Sequence, residues 1–201
     1  MSSTVSFVHM KDGTQAEYEM LHGLEKEFCK GTAKRLLREL ASQAEETLSG
    51  YQVTRLEHAL QSATHAHNDG ADIDWVVAAL LHDIGDGLSP QNHDRFAAEI
   101  LRPFLREEVI WVVENHGVFQ MYYYAHHFGW DQNARDRHTG HPSYQAALDF
   151  CERWDQNCFD PAFDSKPLSF FEPMVEQVFA RKAYDPAVVQ SGVAKGLPSL
   201  N

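Results

Sequence analysis

The sequence predicts an all-α protein, a compact helical bundle, on three observations. Apolar residues recur every three to four positions through most of the chain, as one face of a helix requires. One segment, Trp75-Val-Val-Ala-Ala-Leu-Leu, is apolar on every side, which marks a helix buried in the middle of the fold. No stretch shows the strict alternation of a half-buried strand.

The elements follow in chain order. Residues 1–31 have weak periodicity and read as an N-terminal arm or lid. Thr32 suits the cap of a helix running to about Leu48, with Leu36, Leu37, Leu40 and Ala44 on one face, before Ser49-Gly50 breaks it. A helix over about 53–68 carries Leu56, Ala59, Leu60 and Ala63 and stops at Gly70. The buried helix spans about 74–84 and closes at Gly85 and Gly87. Helices follow near 91–102, 106–116 and 118–128, then a polar loop over 129–142. A helix over about 143–158 bears Ala146, Ala147, Phe150 and Trp154, and a last one covers about 170–181. The organisation expected is one helical domain over 32–185 and a loose tail over 186–201.

The bulk numbers exclude some functions. The chain has 201 residues and a formal net charge of -12. An acidic chain gains nothing from releasing counterions at a phosphate backbone, so nucleic acid is not an expected partner. Met1 to Asp12 has no basic stretch followed by an apolar run, and no segment approaches the roughly 20 apolar residues of a membrane span. Three cysteines, Cys29, Cys151 and Cys158, are no disulfide framework. These readings point to the cytoplasm, with no membrane partner.

Twelve histidines stand out. His82-Asp83 ends the apolar helix, where a polar pair is costly to bury without partners. An imidazole beside a carboxylate suits a first-row metal, and a carboxylate has two oxygens with which to bridge two ions. His58 lies on the preceding helix, and Asp155 follows Trp154 on a late one. His93 and His116 stand between them, each read as opening or closing a helix. Six such donors can hold two ions: His58, His82 and Asp155 at one, His93 and His116 at the other, with Asp83 between. His65, His67, His126, His127, His138 and His141 are read as solvated or supporting residues.

The order His…His-Asp…Asp is similar to the pattern of the HD superfamily, carried here by LEHALQSA around His58, ALLHDIGD around His82-Asp83 and ERWDQN around Asp155. Within it the chain resembles the diiron oxygenases, particularly the small enzymes that cleave 1-hydroxyphosphonates, over roughly residues 45–160. The interval of 23 residues from His93 to His116 belongs to that likeness. The resemblance implies an HD-domain bundle holding two iron ions as a mixed-valent Fe(II)/Fe(III) pair. It also implies that dioxygen is consumed, the C1 hydrogen removed and the C–P bond broken, with phosphate and a carboxylate released. Asp83, as the bridge, and Tyr51, whose phenolate can cap an iron until substrate arrives, take the catalytic positions.

Departures from the family pattern direct the choice of substrate. Asp86 stands three residues after Asp83, where relatives carry Lys or His, and Gln120 stands where one branch has a Lys. Tyr51, seven residues before His58, replaces a Glu. The loss of two cations favours a substrate with its own positive charge, and the aromatics Phe119, Tyr122, Tyr123, Tyr124, Phe128 and Trp130 can offer ring faces to a quaternary ammonium. By resemblance the substrate is 1-hydroxy-2-(trimethylammonio)ethylphosphonate, and the product glycine betaine. Arg135 and Arg137, in the polar loop, are the candidates for the phosphonate charge. Two other classes compete: a binuclear HD phosphohydrolase acting on a small phosphate ester, and a module that only binds a choline-like or phosphonate ligand.

Overall fold

The structure, a computed structural model, describes residues 4–45 and 50–200 and is an all-α bundle, with no strand among the described residues. The first helix, α1 (Gln15–Lys30), opens on a capping box: Glu17 N–H donates to Thr14 Oγ1 at 3.3 Å, and Thr14 N–H donates back to the Glu17 carboxylate at 2.9 Å. It buries none of its residues, so it forms on local propensity and capping. Residues 1–31 thus contain a 16-residue helix that weak periodicity did not reveal, because periodicity reports burial.

Gly31 leads into α2 (Thr32–Ser42), which buries Ala33 and Leu40. Thr32 is its first residue, and its hydroxyl donates to Cys29 O at 2.7 Å. The predicted run to Leu48 is shorter here: residues 43–45 form a turn with Ala44 exposed, and 46–49 lie outside the described residues. The next helix, α3 (Arg55–Asn68), starts on a second capping box, Thr54 with Glu57. It ends where Ala71 N–H reaches back to Ala66 O, a closure that needs Gly70 at φ +77°.

Asp72 caps α4 (Ile73–Leu81), accepting from the N–H groups of Asp74 and Trp75. Asp74 through Leu81 are all buried, as expected for the central helix. It ends at Leu81; residues 82–88 form turns, so His82 and Asp83 stand at the helix exit with the freedom to face different ways.

Two helices then pack together, α5 (His93–Leu101) and α6 (Glu107–Tyr124). The expected break between 116 and 118 is absent: α6 runs through Gly117, and a turn of 3₁₀ helix, Ala125–Phe128, extends it to Gly129 at φ +70°. A glycine inside a helix weakens it by only about 1 kcal/mol, which the buried face formed by Val109, Val112, Val113, His116 and Phe119 outweighs. His93 does open α5; His116 sits in mid-helix.

The predicted loop holds a short 3₁₀ segment, Ala134–His138. The 143–158 helix is α7 (Tyr144–Phe150) followed by a wide π turn, Cys151–Asp155, closed by Gln156 N–H to Cys151 O at 2.9 Å. Such a turn adds a residue to the helix and rotates the side chains beyond it, often at functional sites. Asp69 clamps it to the end of α3, accepting from Arg153 at 2.7 Å and from Trp154 Nε1 at 2.7 Å.

Two last helices, α8 (Leu168–Phe179) and the single turn α9 (Pro186–Val189), complete the fold. The tail, expected loose, is docked. Lys195 and Gly196 N–H donate to the buried Glu108 carboxylate at 2.9 and 2.7 Å, Gly196 O accepts from Trp75 Nε1, and Pro198 O accepts from Arg153. Its sequence gave no sign of docking because these ties run through its backbone groups. The core, centred on Trp75, Leu80, Phe150, Trp154 and Phe171, lies behind the face that carries the histidines.

Candidate metal centre

Five elements converge to bring six donor side chains together. His58 comes from the first turns of α3, His82 and Asp83 from the exit of α4, His93 from the start of α5, His116 from the middle of α6 and Asp155 from the π turn. Gly85 makes one approach possible. A Cβ there would lie 3.0 Å from the His93 backbone and from the Phe96 ring, so only glycine lets the 82–88 turn come so near α5.

The distances fall into two sets about Asp83. Its Oδ2 lies 3.5 Å from both His58 Nε2 and His82 Nε2, and Asp155 Oδ1 completes that side at 3.4 and 3.7 Å from the same two nitrogens. Its Oδ1 lies 3.1 Å from His116 Nε2 and 3.3 Å from His93 Nε2. The two oxygens of one carboxylate thus serve two different pairs of histidines. Every imidazole is oriented from behind by a carbonyl: Nδ1–H of His58 donates to Cys158 O at 3.0 Å, of His82 to Ala79 O at 2.8 Å, of His116 to Val113 O at 2.7 Å and of His93 to Pro90 O at 3.3 Å. A carbonyl can only accept, so the proton sits on Nδ1 and the Nε2 lone pair faces the centre, the arrangement of metal-binding histidines.

The electrostatics agree with a site built for cations. Burial alone would push the imidazoles of His58, His82 and His116 down, but the Asp83 and Asp155 carboxylates prevail and hold them above the usual histidine range. Burial opposes the charge on Asp83 and Asp155 in turn, yet the surrounding imidazoles keep both carboxyls well below the ordinary range. Asp155 Oδ2 is buried with no hydrogen-bond partner, an unmet acceptor of the kind a cation satisfies. The cluster is able to hold divalent metal in nitrogen and oxygen donors, a set suited to iron, manganese or zinc.

The centre opens on one side. His93 keeps 26% of its side chain accessible while His58, His82 and His116 are nearly sealed. Above it lies a cavity of about 780 Å³ whose walls include Tyr51, Arg55, Asp86, Gln120, Tyr123, Tyr124, Phe128, Trp130 and Phe159. Seven of the expected substrate residues, Tyr51, Asp86, Gln120, Tyr123, Tyr124, Phe128 and Trp130, therefore face it. The rest do not. Phe119 is fully buried in the core against Trp111 and Tyr144. Tyr122 lies outside the wall with the Arg135 guanidinium 3.5 Å over its ring, and Arg137 bonds to His138 on the surface. Successive residues of α6 point about 100° apart, so a run of aromatics cannot all face one cavity.

The sequence reading missed Arg55 and Phe159. Arg55 is the one Lys or Arg among the described residues lining the cavity, and its Nε donates to Asp86 Oδ2 at 2.9 Å. Its signal was its position one helical turn before His58, on the same face. Phe159 stacks on His58 at 4.7 Å and on Tyr51 at 5.3 Å, so Tyr51 meets the centre through this ring.

Known proteins share the segment that carries this geometry. Residues 55–149 match the HD domain family, a stretch that contains five of the six donors. Over 89 residues, 39% of the chain and 45% of the relative, it is 33% identical to [1-hydroxy-2-(trimethylamino)ethyl]phosphonate dioxygenase (glycine-betaine-forming) of Leisingera caerulea. Over 69 residues, 28% of the chain and 34% of the relative, it is 38% identical to hydroxymethylphosphonate dioxygenase of Gimesia maris. The chain therefore spans less than half the length of either relative in the matched stretch.

Proposed function

We propose, from the HD domain that spans residues 55–149, that this protein is a binuclear oxygenase that uses dioxygen to cleave the C–P bond of a small 1-hydroxyphosphonate. The observation that carries the binuclear reading is the division of the Asp83 carboxylate, Oδ2 toward His58 and His82, Oδ1 toward His93 and His116. Two relatives whose names are those of phosphonate dioxygenases support the reaction class.

In this reading His58, His82 and Asp155 would hold one iron and His93 and His116 the other, with Asp83 serving both. Bound there as a mixed-valent Fe(II)/Fe(III) pair, two irons would supply the oxidising chemistry and a Lewis-acid seat for substrate oxygens. The chain does the rest. The carbonyls behind each imidazole keep the Nε2 lone pairs aimed inward. The sealed His58–His82 side excludes water, and the half-open His93 side admits substrate. The aromatic residues Tyr51, Tyr123, Tyr124, Phe128 and Trp130 line the cavity and suit a quaternary ammonium, which has no N–H to donate. The substrate that fits is 1-hydroxy-2-(trimethylammonio)ethylphosphonate, with glycine betaine and phosphate as products. Asp86 contributes little net attraction for the ammonium, since Arg55 already neutralises it. Three unpaired thiols accord with a reducing compartment, the cytoplasm; no helix among the described residues is long and apolar enough to cross a membrane.

The test is turnover by protein reconstituted with iron without air. Phosphate release from the hydroxyphosphonate should start only on admitting dioxygen. Phosphate release from an ordinary phosphate ester at the same rate under nitrogen would place the protein among the hydrolases instead.

A further inference from the structure

We infer that Arg55 is the residue that binds the anionic end of the substrate, and that Asp86 holds its guanidinium ready at the metal centre. The inference rests on the proposed phosphonate reading for its ligand, but its evidence is separate. Arg55 is the first residue of α3, with the His58 donor three residues on, so the same capping box that starts the helix sets both side chains at the cavity. Its side chain is only about one-fifth exposed, at 21%, which restricts how far the head group can swing. Three partners position it: Asp86 Oδ2 at 2.9 Å from Nε, Asp83 Oδ2 at 3.7 Å from Nη1, and the Tyr51 ring 5.4 Å from its central carbon.

The arrangement leaves a specific capacity free. Asp86 takes Nε, and Asp83, the residue between the two histidine pairs, is reached only loosely. A guanidinium has five N–H donors in a planar fork that matches the oxygens of a phosphonate two at a time. The remaining donors lie beside the same carboxylate around which the metal pair would form, so an anion resting on that centre would meet Arg55 without either moving far. Other candidates for this role fail on position: Arg135 covers Tyr122 and Arg137 lies on the surface. Asp86 also lies 3.4 Å from His93 Nδ1, so one carboxylate steadies both the guanidinium and the histidine on the open side. Asp86 thus gives a direction to the one guanidinium that lines the cavity beside Asp83 and Asp155.

The experiment uses the iron-loaded protein and methylphosphonate as the probe, with binding followed by calorimetry and metal content measured on every sample. Wild type should bind the probe, Arg55→Gln should bind it about ten- to a hundredfold more weakly, the loss of charge-assisted hydrogen bonds, and Arg55→Lys should recover part of the loss. Choline, which carries only the cationic end, should bind wild type and Arg55→Gln alike. Equal methylphosphonate affinity in wild type and Arg55→Gln at equal iron content overturns the assignment, as does a wild type that does not bind methylphosphonate at millimolar concentration. Failure of the oxygenase reading looks different: the hydroxyphosphonate would not be turned over, while Arg55-dependent methylphosphonate binding would persist.

Discussion

Asp83 concentrates the chemistry of the centre in one carboxylate, and removing it separates the binuclear reading from its rivals. Asp83→Ala should lose both ions, while His93→Ala should lose mainly the ion on the open side, because only Asp83 faces both histidine pairs. Metal analysis of the purified variants decides it; full metal retention in Asp83→Ala removes the bridge. Tyr51 bears on selectivity. If its ring reads the ammonium, Tyr51→Leu should lower the ratio of kcat/KM for the trimethylammonium substrate over its primary-amine analogue by about twofold to thirtyfold, the worth of one cation–π contact at roughly 0.5–2 kcal/mol. An unchanged ratio would assign the ammonium to other rings. That these six His and Asp side chains gather in one place was legible in the sequence, from a His-Asp pair that ends an apolar helix and from the order of the other four along the chain. The anion-binding residue was not. Arg135 and Arg137 sit where no periodicity fixes a direction, and Arg55 looked like an ordinary charge at a helix start until the structure placed its head group against Asp86.

At the scale of elements, the helices that sequence reasoning found are those whose burial marks the chain, as a period in α3 and as an unbroken apolar run in α4. Where it erred, local chemistry was outvoted or silent. Gly117 suggested a break, yet α6 continues through it because the helix is held by its buried face. Gly117→Ala should therefore stabilise the protein by about 0.5–1 kcal/mol, since the new Cβ would meet Asp94 Oδ2 at an ordinary 3.5 Å. Calorimetry should show a rise of roughly 1–4 °C; a fall would mean the helix needs glycine there. Conversely α1 leaves no trace of burial and depends on its cap. The backbone N–H of Ser6, followed by that of Thr14 and both hydroxyls, holds the Glu17 carboxyl at about 2, below its ordinary 4.5. A carboxyl that titrates lower when folded supports the fold above its ordinary range and withdraws that support as pH falls through the folded value. The protection of α1 amides against exchange, relative to an unfolded chain at the same pH, should therefore fall between about pH 4.5 and 2, ahead of α4; simultaneous opening of both helices would contradict a locally held α1.

At the scale of the whole molecule, the elements that form the cavity are also tied together by a tail that does not line it. The tail passes over α4, α6 and the π turn, and each tie reaches an element that carries or leads to a donor: Trp75 on the helix that leads into His82, Glu108 on the helix of His116, and Arg153 two residues before Asp155. Glu108 anchors the arrangement, because both of its carboxylate oxygens accept from tail backbone and it is 3% exposed. Replacing it by glutamine keeps the shape but turns one acceptor into an NH₂ group facing the N–H of Lys195 or Gly196. Hydrogen bonds to a charged group contribute about 1.5–3 kcal/mol each, and an unmet buried donor carries its own penalty. Glu108→Gln should thus destabilise the fold by about 2–3 kcal/mol and lower Tm by roughly 4–12 °C. Metal binding should suffer less, since no donor is touched and bound metal stabilises the native state by mass action. Calorimetry with and without iron separates the two. A variant that melts with wild type would make the tail a passenger; one that melts early without iron but recovers most of its Tm with iron would show that tail and metal brace the same helices.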